Sequence, residues 1–136
     1  MYSKLIFSVT QHIELNTGEY SHVPIFHPTE GNIRIRNVHF MPMKTTPVDT
    51  GDYREFHLEV KDKQGNDKRE IKLTNCANNV LPFTDGYTMT WPPVGQFNEI
   101  VLYTETLHLG WDVSGTTGDL PDMDFYLQVD YHQMGE

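Results

Sequence analysis

Apolar and polar residues alternate along most of this chain, which is the two-residue period of a β-sheet with one buried face. In the first such run, Leu5, Phe7 and Val9 alternate with polar residues, and the same parity returns at Ile13 and Leu15. Further alternating runs occupy residues 33–40, 55–60, 70–73, 87–91, 101–103, 107–113 and 125–131. Because turn-forming residues separate these runs, the pattern predicts about eight or nine strands.

Two segments carry residues that predict local irregularity. Pro24 interrupts the apolar segment 20–26, and because proline cannot donate to a ladder, we expect an edge strand there. In the run 33–40 the parity of the apolar residues changes partway along. This change predicts a β-bulge near Arg36 and Asn37.

The segment 55–73 is the clearest predicted hairpin, because two alternating runs flank a turn rich in Gly, Asn and Asp. One other segment also fits helical spacing, through Ile100, Tyr103, Thr104 and Leu107. We expect strand there too, because Val, Tyr and Thr pack well on a pleated sheet and lose side-chain freedom in a helix.

The expected fold class is all-β, with little or no helix. Short strands separated by Gly, Pro, Asn and Asp favour an antiparallel two-sheet sandwich. We expect a jelly-roll-like order rather than an immunoglobulin-like one, because the Cys, Trp and Cys pattern of immunoglobulin domains is absent. At 136 residues the chain has the size of one domain, so residues 1–136 are expected to form a single β-sandwich.

The net charge of −9 comes entirely from the second half of the chain. Residues 1–72 hold ten basic and ten acidic side chains, whereas residues 73–136 hold nine acidic side chains and no basic one. Phosphate groups are bound mainly through Lys and Arg, so such a surface repels nucleic acid and anionic lipid. We therefore expect neither nucleic acid nor a membrane among the partners, and an acidic surface that keeps the protein soluble.

Cys76 is the single cysteine, which excludes an internal disulfide and a site built on paired thiolates. Met1 is followed at once by a strand-like run, without the basic and apolar regions of a signal peptide. These features favour synthesis and folding in a reducing cytoplasm. The chain has no glycine-rich phosphate loop and no serine in a nucleophile elbow, so we expect no cofactor and no catalytic serine.

The triplet Asp-Thr-Gly at 49–51 resembles the signature of aspartic proteases, in which two aspartates share a proton and activate water. Small viral members of that family are all-β dimers, and the Leu-His-Leu-Gly segment at 107–110 is similar to the stretch that braces their triplet. The resemblance implies a homodimer with Asp49 as the catalytic residue. Asp52 after the triplet and Pro47 before it depart from the family pattern, and we favour a simple turn.

Histidines and aspartates provide two candidate metal sites. His12, His57, His108 and His132 alternate with apolar neighbours, so they are expected to point to solvent, and no pair has the spacing of a zinc-binding helix. We therefore expect no transition-metal site. As an alternative, calcium could bind the carboxylate oxygens of an acidic segment that contains Asp112, Asp119, Asp122 and Asp124. The spacing of these residues does not fit an EF-hand loop.

Two tryptophans lie near the ends of predicted strands, where binding loops gather. Trp111 shares the parity of the apolar residues in the run 107–113, which favours a core position, whereas Trp91 precedes Pro92 and is the better candidate for an exposed contact. A tryptophan with neighbouring Asp and Asn is a common arrangement for stacking on a sugar ring. Trp91, Tyr87 and Trp111 are therefore the candidate binding residues.

These features favour a non-enzymatic protein that works through its surfaces. Our leading hypothesis is a small subunit of a virus or phage particle, such as a capsid decoration, spike or fibre-base protein, which forms homo-oligomers and contacts other subunits of the virion. Tyr87, Trp91 and the loop Met41–Asp52 are the expected contacts. The alternatives are a carbohydrate-binding module, with a glycan stacked on Tyr87 and Trp91, and a dimeric aspartic protease that uses Asp49.

Overall fold

The structure, a computed structural model, describes residues 5–16, 22–75 and 83–134, which form nine strands and no α-helix. Cys76 lies outside the described residues. Within them, no helix is long and apolar enough to cross a membrane. A 3-10 turn (Thr117–Asp119) precedes the last strand. The strands are β1 (Ile6–Leu15), β2 (His22–Phe26), β3 (Ile33–Pro42), β4 (Tyr53–Lys61), β5 (Asp67–Asn75), β6 (Met89–Trp91), β7 (Glu99–Val101), β8 (Thr106–Ser114) and β9 (Met123–Gln133).

The strands form two antiparallel sheets in the order of a jelly roll. The five-stranded sheet has the order β1-β9-β3-β6, with β7 also paired to β3, and the four-stranded sheet has the order β2-β8-β4-β5. If β6 and β7 are taken as one interrupted strand, the first strand pairs with the last, the second with the next to last, and so on inward to β4 and β5. This nested pairing confirms the predicted two-sheet jelly roll.

The local predictions from the sequence are confirmed as well. β2, which contains Pro24, lies at an edge of the four-stranded sheet, and the register of β3 against β9 shifts between Ile35 and Asn37. β4 and β5 form the predicted hairpin. The segment that also fitted a helix forms β7, β8 and a connecting turn, in which the N–H of Glu105 donates to the carbonyl of Leu102 (2.9 Å).

Aromatic side chains fill the space between the two sheets. Phe40 of β3, Phe56 of β4 and Phe125 of β9 are buried, with ring centroids 5.4, 5.5 and 5.8 Å apart. Phe83 adds an edge-on contact 5.3 Å from Phe125. Each such pair contributes about 0.5–1.5 kcal/mol beyond the burial of apolar area, so these rings stabilise the contact between the sheets.

Arg54 occupies a core-facing position on β4, with the same parity as Phe56, and is buried. Its guanidinium donates to the carbonyls of Pro121 (2.6 Å) and Asn16 (3.2 Å). A buried cation needs such partners because it has lost its hydration. Arg54 therefore ties β4 to the residue after β1 and to the segment before β9.

Candidate functional site

Asp49 lies in a turn that its own side chain stabilises. Its Oδ1 accepts hydrogen bonds from the backbone N–H groups of Gly51 (2.9 Å) and Asp52 (3.1 Å), which is an Asx turn. The Oδ1 of Asp52 accepts a further hydrogen bond from the N–H of Thr116 (2.7 Å), next to Gly115 with its φ of +91°. The Asp-Thr-Gly triplet therefore forms a turn, as favoured from the sequence, and Asp52 after it connects this turn to the loop at Thr116.

The three aromatic candidates lie in different surroundings. Trp111 is buried and packs edge-on against Phe56, with ring centroids 5.9 Å apart. Trp91 differs from the exposed contact expected from the sequence, because β6 pairs with the central strand β3 opposite Val38 and the indole packs partly against the core. Tyr87 exposes 71% of its surface. Of the three, Tyr87 alone presents most of its ring to solvent.

The four aspartates considered for calcium lie apart in the structure. Asp124 accepts a hydrogen bond from Nε2 of His12 (2.6 Å), and Asp112 lies 3.8 Å from Nδ1 of His57. Asp119 ends the 3-10 turn. All four residues are described, and no three of them bring carboxylate oxygens within 4.8 Å of one another. The geometry therefore does not support the calcium hypothesis.

A polar cluster lies on the outer face of the four-stranded sheet, where the alternation predicted open solvent. His57 and Glu59 of β4 expose only 4% and 8% of their surfaces. Gly110 of β8 is the partner of His57 in the ladder, and a Cβ there would lie 2.3 Å from Oε1 of Glu59 and 2.6 Å from Nε2 of His57. The prediction that His57 points to solvent is wrong, because this glycine lets both side chains fold onto the sheet.

The cluster joins polar side chains of β4 and β5 through close contacts and ion pairs. His57 Nε2 lies 2.7 Å from Oε1 of Glu59 and 3.5 Å from Oε1 of Glu70. Lys61 Nζ lies 2.5 Å from Oδ1 of Asp67 and 3.3 Å from Oε2 of Glu59. The hydrogen bond to Asp67 raises the pKa of Lys61 against the opposing effect of burial, and the same bond lowers the pKa of Asp67.

His108 of β8 borders this cluster and is partly buried, whereas the sequence pattern predicted solvent. Burial, together with the neighbouring His22, lowers the pKa of His108 below its ordinary value of 6.5. The Nδ1 atoms of these two histidines lie 3.3 Å apart. Both effects therefore favour the neutral form of His108. Elsewhere, His12 is exposed, as expected, and His132 is partly buried.

The four sheet edges differ in how they are protected from pairing with another chain. β2 contains Pro24 and a register shift, β6 and β7 are only three residues long, and β5 carries charged residues at most of its positions. Prolines, irregularities, short strands and charges are the usual means of protecting an edge. β1 is ten residues long and has no charged side chain from Ile6 to Gln11. Among the edges that the structure describes, β1 is the unprotected one.

The start of β1 also presents apolar surface. Ile6 and Phe7 expose 48% and 42% of their surfaces. The ring of Phe7 lies 5.8 Å from that of Tyr131, which in turn lies 5.0 Å from Phe26. Isolated exposed apolar residues are ordinary, but an apolar strand with an open edge is a site for interaction. The alternation in the sequence did not reveal this edge, because core and interface residues give the same pattern.

Asp130 of β9 fixes β1 to its sheet. Its Oδ1 accepts hydrogen bonds from Oγ of Ser8 (2.6 Å) and Nε2 of Gln128 (2.9 Å), and its Oδ2 accepts one from Nε2 of His39 (2.6 Å). Burial favours a higher pKa for this carboxyl group, but the hydrogen bonds outweigh burial, and the pKa is lowered. β1 is therefore held to β9 on one side, while none of the described strands pairs with its other edge.

Comparison with known proteins gives no family assignment. No family model matches the sequence, and no curated protein matches it. Similar solved structures include the T=1 particles derived from infectious bursal virus, at 10% identity and a TM-score of 0.43, covering 97% of this chain and 32% of that chain.

Two further structures give similar values. The T13 particle of infectious bursal disease virus (IBDV) has 14% identity and a TM-score of 0.42, covering 94% of this chain and 31% of that chain. The VP2 subviral particle of the same virus has 8% identity and a TM-score of 0.42, covering 97% of this chain and 34% of that chain. This chain thus spans about a third of the length of these proteins.

Proposed function

We propose that this chain is a structural subunit of a virus or phage particle, and that it works through contacts between copies of itself and with other subunits. The observation that carries the proposal is a jelly roll with a filled core and one unprotected strand edge. The jelly roll is a scaffold of viral capsid domains, lectins and cupins. The fold alone does not decide among these functions, so the choice among them rests on the properties of the surface.

The filled core favours function at the surface. Sites for small ligands are usually clefts of about 300–1,000 Å³. Here Phe40, Phe56 and Phe125 occupy the space between the sheets. A small pocket of about 60 Å³ lies on the outer face of the four-stranded sheet, between His57 and Lys72. Its size suits an ion or a water molecule better than a sugar or a metabolite.

The open edge of β1 is the contact that we propose between copies. The β1 strand of a second copy would lie antiparallel to this one, related to it by a twofold axis. It would extend the five-stranded sheet, and the backbone N–H and C=O groups on the two edges would pair. Two copies of a chain with a net charge of −9 repel each other, so they are expected to meet where no like charges face each other. The uncharged stretch Ile6–Gln11 meets this condition. The exposed side chains of Ile6 and Phe7 add apolar area to the contact.

Native mass, measured by light scattering on a sizing column at neutral pH, tests this proposal. We expect a dimer of the 15.8 kDa chain, or a multiple of a dimer. Electron microscopy of the same sample should show closed rings or shells once further contacts form. A monomer at concentrations of about 100 μM, where even weak contacts form, would contradict the proposal.

A further inference from the structure

Three side chains with metal-binding atoms converge on the outer face of the four-stranded sheet. Nε2 of His57, Oε1 of Glu59 and Oε1 of Glu70 all lie within 4.8 Å of one another. Donor atoms around a tetrahedral Zn²⁺ lie about 3–3.5 Å apart, given bonds of about 2.0–2.2 Å. We propose that these three residues bind a divalent transition-metal ion, with Zn²⁺ as the ion of best fit, independently of the proposed function.

The charges around Glu59 support a cation at this point. Glu59 and Glu70 are directly opposite in the ladder between β4 and β5, and like charges in that position repel. Glu59 is more than nine-tenths buried, and Lys61, whose Nζ lies 3.3 Å from its Oε2, is shared with Asp67. A buried carboxylate whose charge is only partly balanced is costly. A metal ion at Oε1 would balance both carboxylates while Oε2 kept its ion pair with Lys61.

The surroundings of His57 hold its ring in an orientation suited to a ligand. Nε2 faces Glu59 and Glu70, whereas Nδ1, on the other side of the ring, lies 3.8 Å from Oδ2 of Asp112. A carboxylate hydrogen-bonded to the second nitrogen of a ligand histidine fixes the ring and raises its basicity. At 3.8 Å Asp112 lies beyond hydrogen-bond distance of Nδ1, so its exposed side chain would have to close on the ring when an ion binds. Gly110 leaves room for the ring and for Glu59, since any Cβ there would overlap both. Asp112 is therefore a positioning residue in this proposal.

The donor set selects the class of metal. One imidazole and two carboxylates favour a transition-metal ion over Ca²⁺ or Mg²⁺, which prefer oxygen ligands alone. Three protein ligands also leave a fourth position for water on Zn²⁺. Lys61 lies beside the site, and its positive charge weakens binding of a cation. We therefore expect moderate affinity and one ion per chain.

Calorimetric titration of the chelator-treated full chain with Zn²⁺, and visible absorption after titration with Co²⁺, test the proposal. The wild type should bind one ion of each. Glu70→Gln should weaken binding at least tenfold while leaving the fold intact, because Glu70 is exposed. His57→Ala should also weaken binding at least tenfold. Asp112→Asn should weaken it by about tenfold, as loss of a carboxylate that orients a ligand histidine commonly does.

The chain offers a matched control in a second trio of similar composition, His12, Glu14 and Asp124, which is more exposed. His12→Ala should leave Zn²⁺ affinity unchanged. The proposal is overturned if folded wild type gives neither heat with Zn²⁺ nor absorption with Co²⁺. It is also overturned if His12→Ala abolishes binding while Glu70→Gln retains it. Native mass is measured separately with chelator present. The oligomeric state is then known without metal, so failure of the metal proposal and failure of the assembly proposal can be told apart.

Discussion

The two long edge strands, β1 and β5, differ in their exposure to pairing. β5 presents Lys68, Glu70 and Lys72 on its outward face, so another strand beside it would meet both signs of charge. β1 presents a neutral, partly apolar stretch, Ile6–Gln11. Charged edges resist pairing, because pairing buries the charges or sets like charges together. The contrast shows that each edge is protected by its own means, and that the edge of β1 remains available for pairing with another strand.

Each of these two edges is also associated with a carboxylate of lowered pKa. Asp130 serves β1 and is mostly buried among Ser8, His39 and Gln128. Asp67 on β5 is largely exposed, and its main partner is Lys61. The firmer anchor thus lies under the strand with the open edge. A docking strand needs such support, because a frayed edge would have to be ordered when the partner binds.

The largest expected effect comes from giving β1 a charge. Phe7→Glu places a charge from each chain in the neutral stretch Ile6–Gln11 of a twofold pair and removes apolar contact, so we expect the dissociation constant of the dimer to rise about 100-fold, or roughly 3 kcal/mol. Sedimentation across a concentration series measures it. Lys72→Glu on β5 is the matched control and should stay within about twofold of wild type. A Phe7→Glu protein with wild-type mass would contradict the assignment of β1.

The reverse change removes charge from β5. Lys68→Val combined with Lys72→Val leaves that edge without its two outward cations, and we expect concentration-dependent species larger than those of the wild type. Lys63→Val, in the turn between β4 and β5, should leave the mass unchanged. Light scattering measures all three proteins. If the double variant keeps the wild-type mass, charge is not what protects β5.

Acid should lower the stability of the folded state more through protonation of Asp130 than through protonation of Asp67. Both pKa values are below the ordinary 3.8, so the folded state binds fewer protons, and each carboxylate stabilises the fold above about pH 4. That stability is lost as the pH falls through the folded-state pKa. We expect Asp130→Asn to cost about 1–3 kcal/mol at neutral pH and to flatten the dependence of melting temperature on acid pH.

Asp67→Asn is the control for this experiment, and its effect should be smaller because water already screens the exposed pair with Lys61. Thermal melts from pH 2 to pH 7 compare the two variants with the wild type. Equal flattening in both variants would show that burial of Asp130 does not distinguish the two carboxylates.

The smallest effect is expected at Tyr87, which precedes β6 on the side of the five-stranded sheet opposite β1. Tyr87→Ala should change the free energy of unfolding by less than about 0.5 kcal/mol and leave the native mass unchanged. Mass and denaturant unfolding are the measurements. Loss of the oligomer in this variant would move the interface from β1 to the loops that the sequence first indicated.

Much of the fold could be predicted from the sequence because alternation records which face of a strand is buried. The change of parity before Val38 gave the bulge, and Pro24 gave the edge position of β2. Arg54 was readable by the same rule, since it shares the parity of Phe56. Its charge argues for solvent, and the carbonyls of Pro121 and Asn16 that help to satisfy it are brought to it by the fold.

The candidate sites could not be predicted in the same way. Burial of His57 and Glu59 depends on Gly110, a residue of another strand whose position beside them follows only from the strand order. The convergence of Glu70 depends on the register of β4 with β5. The open edge of β1 likewise follows from the whole topology, because alternation describes the faces of a strand and not its edges.

Hydrogen exchange of the β1 amides, measured above and below the concentration at which copies associate, tests the central claim most directly. We predict slower exchange across Ile6–Gln11 in the associated protein than in the monomer, with unchanged exchange across residues 67–73 of β5. Unchanged exchange in β1, with new protection elsewhere, would show that copies meet through another surface.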